Sequence, residues 1–426
     1  MATAPTDAVE KDYFTDHSVL LDPYDYFEDI RRNGAVYQMK SREDVIVVTG
    51  FQESVDILLN ARDFSSSINP DPVAPLPYEV DGDDDISARI KEAQKHQPMV
   101  LMVSYDDAEH ASARALLNPL FVPSRLKANE AFMRTYADAM MQEIVGGGTC
   151  EMISKVATPF VTMVIADLLG VPADDRETFR ALIDSAPPPG NMDGEDANAV
   201  HPLMIMGGYF MRYISERRAV PQDDVMTDLA QALYPDGTLP DVMEVVKSAM
   251  FLFAAGQDTS AKLIGNSIRH LSEDQELQQR LREDRSLIGP FLEEMLRLEG
   301  STKATFRVVR RKTRIGDLEV PAGKRVVVSL SAANRDPRRW ADPAEFRIGR
   351  PRIKEHLAFG RGAHTCAGAP LARAEVTVLL DRLLEHTSSF ALSEAHHGPK
   401  DARTVSYEPS YIIRGLANLH VDLIPR

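Results

Sequence analysis

The sequence predicts a mainly α-helical protein with small β-sheets. Apolar residues recur with helical spacing over most of the 426-residue chain. One of these segments, 249–255, is apolar on every side, which is typical of a helix buried inside a large protein. Runs of β-branched residues are short and are bounded by Gly or Pro, so we expect short, clustered strands. A helix-rich body with small sheets packed to one side follows from these observations.

The individual elements follow from the two periodicities. The predicted helices are 24–32, 51–60, 124–145, 151–169, 201–218, 241–272, 274–283, 287–299 and 368–386. The predicted strands are 45–49, 307–309, 314–315 and 325–330. Segments 66–86 and 184–202 are rich in proline and acidic residues, and we expect both to be loops.

The composition argues against several classes of protein. Hydrophobic residues make up 44% of the chain, enough for a large core, and the formal net charge of −16 argues against nucleic acid as a partner. Two cysteines do not make a disulfide framework and fit a reducing compartment. Residues 1–20 contain no signal-type apolar region, and no apolar run reaches the ~18 residues of a membrane span. We therefore expect a soluble, cytoplasmic protein.

The most informative residue is Cys366, in the segment 359–368 with the sequence Phe-Gly-Arg-Gly-Ala-His-Thr-Cys-Ala-Gly. Glycines let a backbone pass close to a bulky partner, because they have no side chain to clash with it. The predicted helix that follows directs its positive dipole end at the sulfur, which favours a thiolate. A thiolate beside a wide apolar slot can be the axial ligand of a haem iron.

Three other interpretations of this segment were weighed on its residues. Gly360 and Gly362 could open a dinucleotide-binding loop, but a third glycine and a clear strand–helix–strand unit are lacking. His364 and Cys366 could be zinc ligands, but the chain has no Cys-x-x-Cys partner for them. Cys366 could also be an inert, buried cysteine at the start of a helix.

A second unusual segment lies in the middle of the predicted helix 241–272, where 255–259 reads Ala-Gly-Gln-Asp-Thr. Glycine in a helix interior costs about 1 kcal/mol relative to alanine, and buried acids and hydroxyls are costly without partners. These residues predict a local break in the helix. The alternative is that Thr259 bonds back to a carbonyl oxygen one turn earlier, as mid-helix threonines often do.

Both segments resemble motifs of the cytochrome P450 family. The spacing Phe-Gly-x-Gly-x-His-x-Cys-x-Gly matches the family's haem-binding loop at all six fixed positions, and 255–259 resembles its Ala-Gly-x-Asp/Glu-Thr motif. The resemblance implies a cytochrome P450 fold of the soluble bacterial type. It implies one domain over 1–426, a helix-rich body with a smaller β-containing N-terminal part. The cofactor would be haem b (iron protoporphyrin IX), buried between the long central helix and the loop of its axial ligand, Cys366.

The resemblance also assigns roles to residues. Ala255 and Gly256 would leave a groove for dioxygen, Thr259 would donate a hydrogen bond to the oxygen species at the iron, and Asp258 would relay protons. Glu294, Arg297 and Arg350 match a buried ion-paired trio that supports the haem loop. The remaining cofactor-binding residues that it implies are His110, Arg114, Arg307 and His364, as ligands of the haem propionates, and Phe359, Gly360 and Gly368, in the loop itself.

The implied reaction inserts one atom of O2 into a C–H bond of a hydrophobic substrate. The candidate substrate-lining residues are Met99, Phe253, Ala255, Lys303, Thr305 and Ile412. They are mostly apolar. Lys303 could bind a substrate carboxylate, or its stem could extend to solvent as lysine stems commonly do. Alternatives are a peroxide-driven oxygenase, against which the Asp258-Thr259 pair argues, and a non-catalytic haem-thiolate sensor.

The electrons would come from a separate protein. The sequence offers no flavin or nicotinamide domain and no cysteine set for an iron–sulfur cluster, which implies a ferredoxin and a ferredoxin reductase, with NAD(P)H as ultimate donor. In 335–361, eight Lys/Arg stand against four Asp/Glu, an excess that would steer an acidic partner. Some of these arginines could instead be internal. We expect a monomer.

Overall fold

The computed structural model describes residues 10–68, 72–80, 82–97, 100–184 and 202–426. The fold class is confirmed: these residues form a mostly helical body with small sheets. Of the two predicted loops, 66–86 is described in part, and its described residues contain no helix or strand. The interior of the loop predicted at 184–202 lies outside the described residues, as does Met99. The assignment of 1–426 to one domain stays a prediction.

The α-helices are numbered in chain order. They are α1 (His17–Leu21), α2 (Tyr24–Arg31), α3 (Phe51–Leu59), α4 (Ser87–Lys95), α5 (Asp107–Ala115), α6 (Pro123–Val145), α7 (Thr158–Leu168), α8 (Ala173–Asp184), α9 (Pro202–Ala219), α10 (Val225–Ala230), α11 (Val242–Glu273), α12 (Gln275–Glu283), α13 (Ile288–Glu299), α14 (Leu330–Ala333), α15 (Ala369–His386) and α16 (Glu394–His397). Short 3₁₀ turns connect several of them, including Gly362–His364 just before Cys366.

The strands form three sheets. They are β1 (Val36–Gln38), β2 (Val45–Val48), β3 (Phe64–Ser65), β4 (Thr149–Glu151), β5 (Thr305–Val309), β6 (Thr313–Ile315), β7 (Leu318–Val320), β8 (Arg325–Val328), β9 (Thr387–Leu392) and β10 (His420–Pro425). The largest sheet has the order β1-β2-β8-β5-β3, the second β4-β10-β9, and the third is the hairpin β6-β7. β2 and β8 pair in parallel and the other pairs are antiparallel.

The nine predicted helices are present. Two predicted elements, one helix and one strand, differ from the structure in their bounds. Segment 151–169 is not one helix, because it begins in β4 and contains a π-helix, Ile153–Ala157, before α7. The predicted strand 325–330 ends at Val328, and α14 begins at Leu330, where Ser329 is its N-terminal cap residue. The short helices and strands that the periodicity missed have too few residues to show a period.

Helix α11 is the centre of the largest apolar cluster. It packs against α7, α9, α13 and α15, and most of its side chains are buried. A second cluster joins the N-terminal segment to the largest sheet through aromatic contacts, such as that between Phe14 and Phe306 of β5 at 6.1 Å. Within the described ranges, no helix is both long enough and apolar enough to cross a bilayer. The predicted site residues 255–259 lie on α11, at the centre of this core.

Candidate functional site

The loop that carries Cys366 is built by backbone hydrogen bonds and by two glycines. The N–H of Cys366 donates to the carbonyl of Phe359 at 2.9 Å, which closes the loop at its base. Gly360 and Gly362 have φ angles of 66° and 72°, a conformation that favours glycine. A Cβ on Gly362 would also lie 2.4 Å from the carbonyl oxygen of Leu58, so that α3 and the loop can approach each other only at a glycine.

Cys366 is an exposed residue, although the surrounding protein desolvates its thiol. Burial raises the pKa of this thiol, while the N–H groups of Gly368 and Ala369 and the charges of Arg114 and Arg373 lower it. Burial outweighs these effects, so the prediction that the helix N-terminus by itself makes the thiolate the favoured form is wrong. A metal cation would do so, because a coordinating thiol loses its proton.

The four predicted propionate ligands meet beside this loop. The rings of His110 and His364 lie 3.9 Å apart, and Arg114 is 3.5 Å from the carbonyl oxygen of Ala363. Burial, Arg307, His110 and Arg114 lower the pKa of His364 to about 3, and burial lowers that of Arg307 to about 10. Their electrostatic effects on one another show that the four groups lie close together, and the positive charge of this cluster is that of Arg114 and Arg307.

The predicted trio of Glu294, Arg297 and Arg350 is brought together in the interior. Arg297 Nη2 and Arg350 Nε both donate to Glu294 Oε1 at 2.7 Å, and the three side chains are almost fully buried. Arg297 also donates to the carbonyl oxygens of Asn334 and Pro343, at 2.9 and 2.7 Å. The trio therefore fastens α13 to the segment that leads to the Cys366 loop.

A neighbouring ion pair holds the start of the same loop, and it was not predicted. His356 lies 3.2 Å from Glu293, and Arg373 of α15 donates to Glu293 at 2.5 Å. Although burial raises the pKa of Glu293, the hydrogen bonds from His356 and Arg373 lower it to about 2. Arg373 also covers the ring of Phe359 at 4.6 Å. The loop is thus tied to α13 on one side and α15 on the other.

Helix α11 crosses the 255–259 segment without a break, so the predicted local break is wrong. The Thr259 hydroxyl donates to the carbonyl oxygen of Ala255 at 2.9 Å, so the hydroxyl has a partner inside a regular helix. This is the alternative that the sequence analysis left open. Ala255 is exposed, whereas its neighbours Phe253 and Gln257 are buried. A Cβ on Gly256 would lie 2.9 Å from Ile165 Cδ1, so the glycine permits close packing of α7.

Two polar side chains near this segment were missed by the sequence analysis. Glu375 of α15 is fully buried, and among the described residues neither of its carboxylate oxygens has a hydrogen-bond partner. Burial raises its pKa to about 8, against a smaller lowering by the hydroxyl of Ser260, which follows Thr259 on α11. Lys262, one turn after Asp258, lies 3.8 Å from that residue. Helical spacing from Asp258 could have identified Lys262, whereas nothing local indicates Glu375.

Of the predicted substrate-lining residues that the structure describes, two are buried and three are exposed or half-buried. Phe253 is fully buried with its ring 5.4 Å from that of Phe179, so it lies in the core and lines no accessible surface. Lys303 is also misassigned: it is buried, and its ammonium group donates to the carbonyl oxygens of Leu20 and Ser410. It is not a free cation for a substrate carboxylate. The remaining described candidates, Ala255, Thr305 and Ile412, are exposed or half-buried.

Carboxylates of the protein itself neutralise most of the basic excess of 335–361. The prediction that the whole segment steers an acidic partner is therefore corrected. Its arginines bind carboxylates inside the segment and from Glu53, Glu294 and Glu299 outside it. Arg338, for example, donates to Glu53 Oε2 and Asp336 Oδ2 at 2.7 Å. Among described residues, only Lys354 and Arg361 of this set lack an ion-pair partner.

The residues present fit a haem. Cys366 is exposed, and Ala255 supplies a small, exposed surface on a helix most of whose side chains are buried. Within the described part of the chain, no carboxylate lies within ion-pairing distance of the half-buried Arg114 or the buried Arg307; Asp106 acts on Arg307 from farther away, and neither arginine has a negative charge in direct contact. Two propionates would supply that charge, and bidentate arginine suits a carboxylate.

Comparisons with known proteins agree with this fit. A family model described as Cytochrome P450 matches residues 194–411. Cytochrome P450 109 of Bacillus spizizenii is 32% identical over 76% of this chain and 79% of its own length. Cytochrome P450 monooxygenase PikC of Streptomyces venezuelae is 29% identical over 94% of this chain and 91% of its own. The solved structure of Mycobacterium marinum cytochrome P450 CYP150A6 in the substrate-free form is 44% identical, with a TM-score of 0.92 over 98% of this chain and 99% of that one.

Proposed function

We propose that this chain, which belongs to the cytochrome P450 family and is a monooxygenase of that family, inserts one oxygen atom of O2 into a C–H bond of a small-to-medium hydrophobic substrate. The family's haem-thiolate cofactor is in our proposal haem b, with Cys366 as the axial iron ligand. The observation that carries the proposal is the exposed residue Cys366 beside Arg114 and Arg307, neither of which has a carboxylate within ion-pairing distance among the described residues.

The haem, when bound, supplies the chemistry of oxygen activation, and the chain's residues prepare the site for it. Arg114, Arg307, His110 and His364 would bind the propionates and so fix the orientation of the ring. Cys366 would be held in place by its backbone bond to Phe359, since the loop closes there.

On the other side, α11 supplies the polar groups. The Thr259 hydroxyl can rotate away from the Ala255 carbonyl to donate into the exposed space above Ala255. Asp258 holds a proton more readily than an ordinary aspartate, because burial raises its pKa. These two neighbouring groups would therefore deliver protons, a role that suits a buried acid with a raised pKa. Glu375 of α15, which begins three residues after Cys366, is a second buried acid of raised pKa, and Ser260, next to Thr259, acts on it.

We further propose that a ferredoxin and its reductase supply the electrons, with NAD(P)H as ultimate donor. The docking surface would be the small face around Lys354, Arg361 and Leu59, where Leu59 is 61% exposed beside the Cys366 loop. Substituting Glu for Lys354 should slow reduction by an acidic ferredoxin, whereas the same change at the exposed Lys400 should not. Equal rates for both variants would contradict this docking face.

The substrate is proposed to be hydrophobic. The half-buried Thr305 and Ile412 each precede or follow a buried aromatic residue of one apolar cluster, Phe306 and Tyr411, so their surroundings are apolar. An apolar lining with few polar groups suits an apolar ligand. A ligand screen that follows the shift of the haem absorption band would identify the substrate, and analysis of the product would identify the oxidised position. A cytoplasmic monomer stays a prediction from the sequence.

Turnover with a surrogate ferredoxin and reductase tests the proposal most directly. Substrates found in the ligand screen should give a hydroxylated product, and the product should rise with NADH consumed. Product formed with hydrogen peroxide alone and not with NADH would favour a peroxide-driven oxygenase. A protein that binds ligands and carbon monoxide but forms no product from any of them would be a sensor, which contradicts the proposal.

A further inference from the structure

Lys262 is a buried cation between two carboxylates. It lies one turn after Asp258 on α11, and 6% of its side chain is exposed. Its ammonium nitrogen contacts the carboxylate of Glu408 and is 3.8 Å from Oδ1 of Asp258. The two carboxylic side chains are 22% and 17% exposed. One ammonium group therefore faces two acids, and it is nearer to the one that does not belong to the motif.

The position of Lys262 is fixed by the packing of its stem. A Cβ on Gly415 would lie 2.0 Å from Cδ of Lys262, so the backbone of Gly415 presses directly on the stem. The N–H of Glu408 donates to the carbonyl oxygen of Gly415 at 3.0 Å, which fixes Glu408 in the same segment. The 407–416 segment thus both confines the stem and presents the competing carboxylate.

Asp258 is incompletely satisfied in this arrangement. Its Oδ2 is buried and has no hydrogen-bond partner among the described residues. Burial raises the pKa of Asp258, the charge of Lys262 lowers it, and the charge of Glu408 raises it. Of the described residues, these two are the charged groups that act on Asp258: Lys262 from its own helix, and Glu408 from the 407–416 segment packed against it. The protonation of Asp258 thus depends on where one ammonium group is held.

We propose that Asp258 and Glu408 compete for the ammonium group of Lys262, and that this competition sets the protonation of Asp258 during proton delivery. The inference rests on the proposed monooxygenase function. In each delivery Asp258 loses one proton towards Thr259 and regains one from water, while Lys262 keeps its charge. The new carboxylate draws Lys262 from Glu408, and reprotonation of Asp258 returns it. Lys262 and Glu408 are therefore positioning residues that act through Asp258.

The competition predicts opposite effects from two substitutions. Lys262→Met removes the cation, so Asp258 should hold its proton to a higher pH. Glu408→Gln removes the competitor and frees Lys262 for Asp258, so Asp258 should lose its proton at a lower pH. Each shift should be about one pH unit or more, because a charge within ~4–6 Å has an effect of this size. A role in packing alone would not produce shifts of opposite sign.

The titration can be measured without turnover, on the haem-loaded protein. The infrared C=O band of protonated Asp258, assigned by its loss in Asp258→Asn, is followed against pH in each variant. Lys247→Met is the matched control, because Lys247 also pairs with a carboxylate of α11, Glu244, at 2.9 Å and does not act on Asp258. Its titration should match that of the unsubstituted protein. Shifts in the same direction, or no shift with Glu408→Gln, would overturn the proposal.

The consequence for proton delivery is a shift of the pH profile of coupling, the product formed per NADH consumed. The profile should move up in Lys262→Met and down in Glu408→Gln, parallel to the infrared titration. If Lys262→Met does not fold, Glu408→Gln at its partly exposed position still decides the question by the direction of its shift. Infrared shifts as predicted, in a protein that forms no product, would contradict the monooxygenase function and leave the competition intact. Infrared shifts with an unmoved coupling profile would overturn the role in proton delivery.

Discussion

The imidazole rings of His110 and His364 lie 3.9 Å apart, with an angle of 38° between their planes. His110 belongs to α5 and His364 to the 3₁₀ turn just before Cys366. Close contact between two imidazoles is compatible with neutral rings, and burial with the charges of Arg114 and Arg307 lowers the pKa of both. The contact attaches α5 to the ligand loop and places four nitrogen-bearing side chains where propionates would bind.

The positive cluster should hold the haem by its propionates. Arg307→Gln should speed the loss of haem to an acceptor globin about ten- to a hundredfold, because a hydrogen bond to a charged group contributes about 1.5–3 kcal/mol. Haem transfer followed by absorbance measures this rate. Arg314→Gln, a substitution on the exposed hairpin β6-β7, should leave the rate unchanged. Equal rates in the two variants would show that Arg307 does not contact the cofactor.

The Glu294 trio should be essential for stability. Glu294→Gln leaves Arg297 and Arg350 buried without their carboxylate, a loss that typically costs about 3–5 kcal/mol. The midpoint of urea unfolding measures the loss. Glu92→Gln removes the partner of an exposed pair, Lys95–Glu92, and should hardly move the midpoint, because water and salt screen an exposed pair. A Glu294 variant as stable as the Glu92 variant would contradict the structural role.

Lys303 should make stability depend on pH above neutrality. Burial lowers its pKa to about 7, whereas lysine in an unfolded chain titrates near ~10.4. Between these values the unfolded state binds the extra proton, so stability rises with pH by up to about 1.4 kcal/mol per unit, and below pH 7 the contribution is constant.

Lys303→Met should remove that rise. Urea unfolding at several pH values should show the stability of the unsubstituted protein increasing relative to the variant from about pH 7 upward. Lys324 also donates to a backbone carbonyl but is only half-buried, so Lys324→Met should keep the rise. A parallel pH dependence of the Lys303 variant and the unsubstituted protein would contradict a buried lysine of lowered pKa.

Glu375 should make stability fall as the pH rises, the opposite of the effect of Lys303. Its pKa is raised to about 8, so between the unfolded value of ~4.3 and pH 8 the folded state binds the extra proton and stability falls as pH rises. Glu375→Gln keeps the shape without the charge, and it should gain stability relative to the unsubstituted protein across this window. Glu283→Gln, at an exposed position of α12, should show no such gain. A constant difference from pH 5 to 8 would mean that Glu375 ionises normally.

The local motifs predicted the ligand loop and the trio of Glu294, Arg297 and Arg350 well, because each needs particular residue types at short, fixed spacings. Gly362 shows why: its backbone conformation and its contact with Leu58 both exclude a side chain. The long helices were also predictable, since α6 and α11 are long enough for their apolar periodicity to be read.

The environment of single polar residues was not predictable, because it depends on residues far away in the chain. The buried Lys303, for example, donates to the carbonyl oxygens of Leu20 and Ser410, which lie near opposite ends of the sequence. Arg338 is neutralised by Glu53, which no count over 335–361 can include. Helix α11 stays regular through 255–259 because the Thr259 hydroxyl finds a carbonyl within its own helix.

The bond between Cys366 and a haem iron is the claim on which the account depends. The measurement is the absorption spectrum of the reduced, carbon monoxide-bound protein, for the unsubstituted chain, Cys366→Ser and Cys150→Ser. The account predicts the long-wavelength band of a thiolate-bound haem for the unsubstituted chain and for Cys150→Ser, since Cys150 is buried in β4. It predicts loss of that band in Cys366→Ser. An unchanged spectrum in Cys366→Ser, or no haem uptake by the unsubstituted protein, would contradict it.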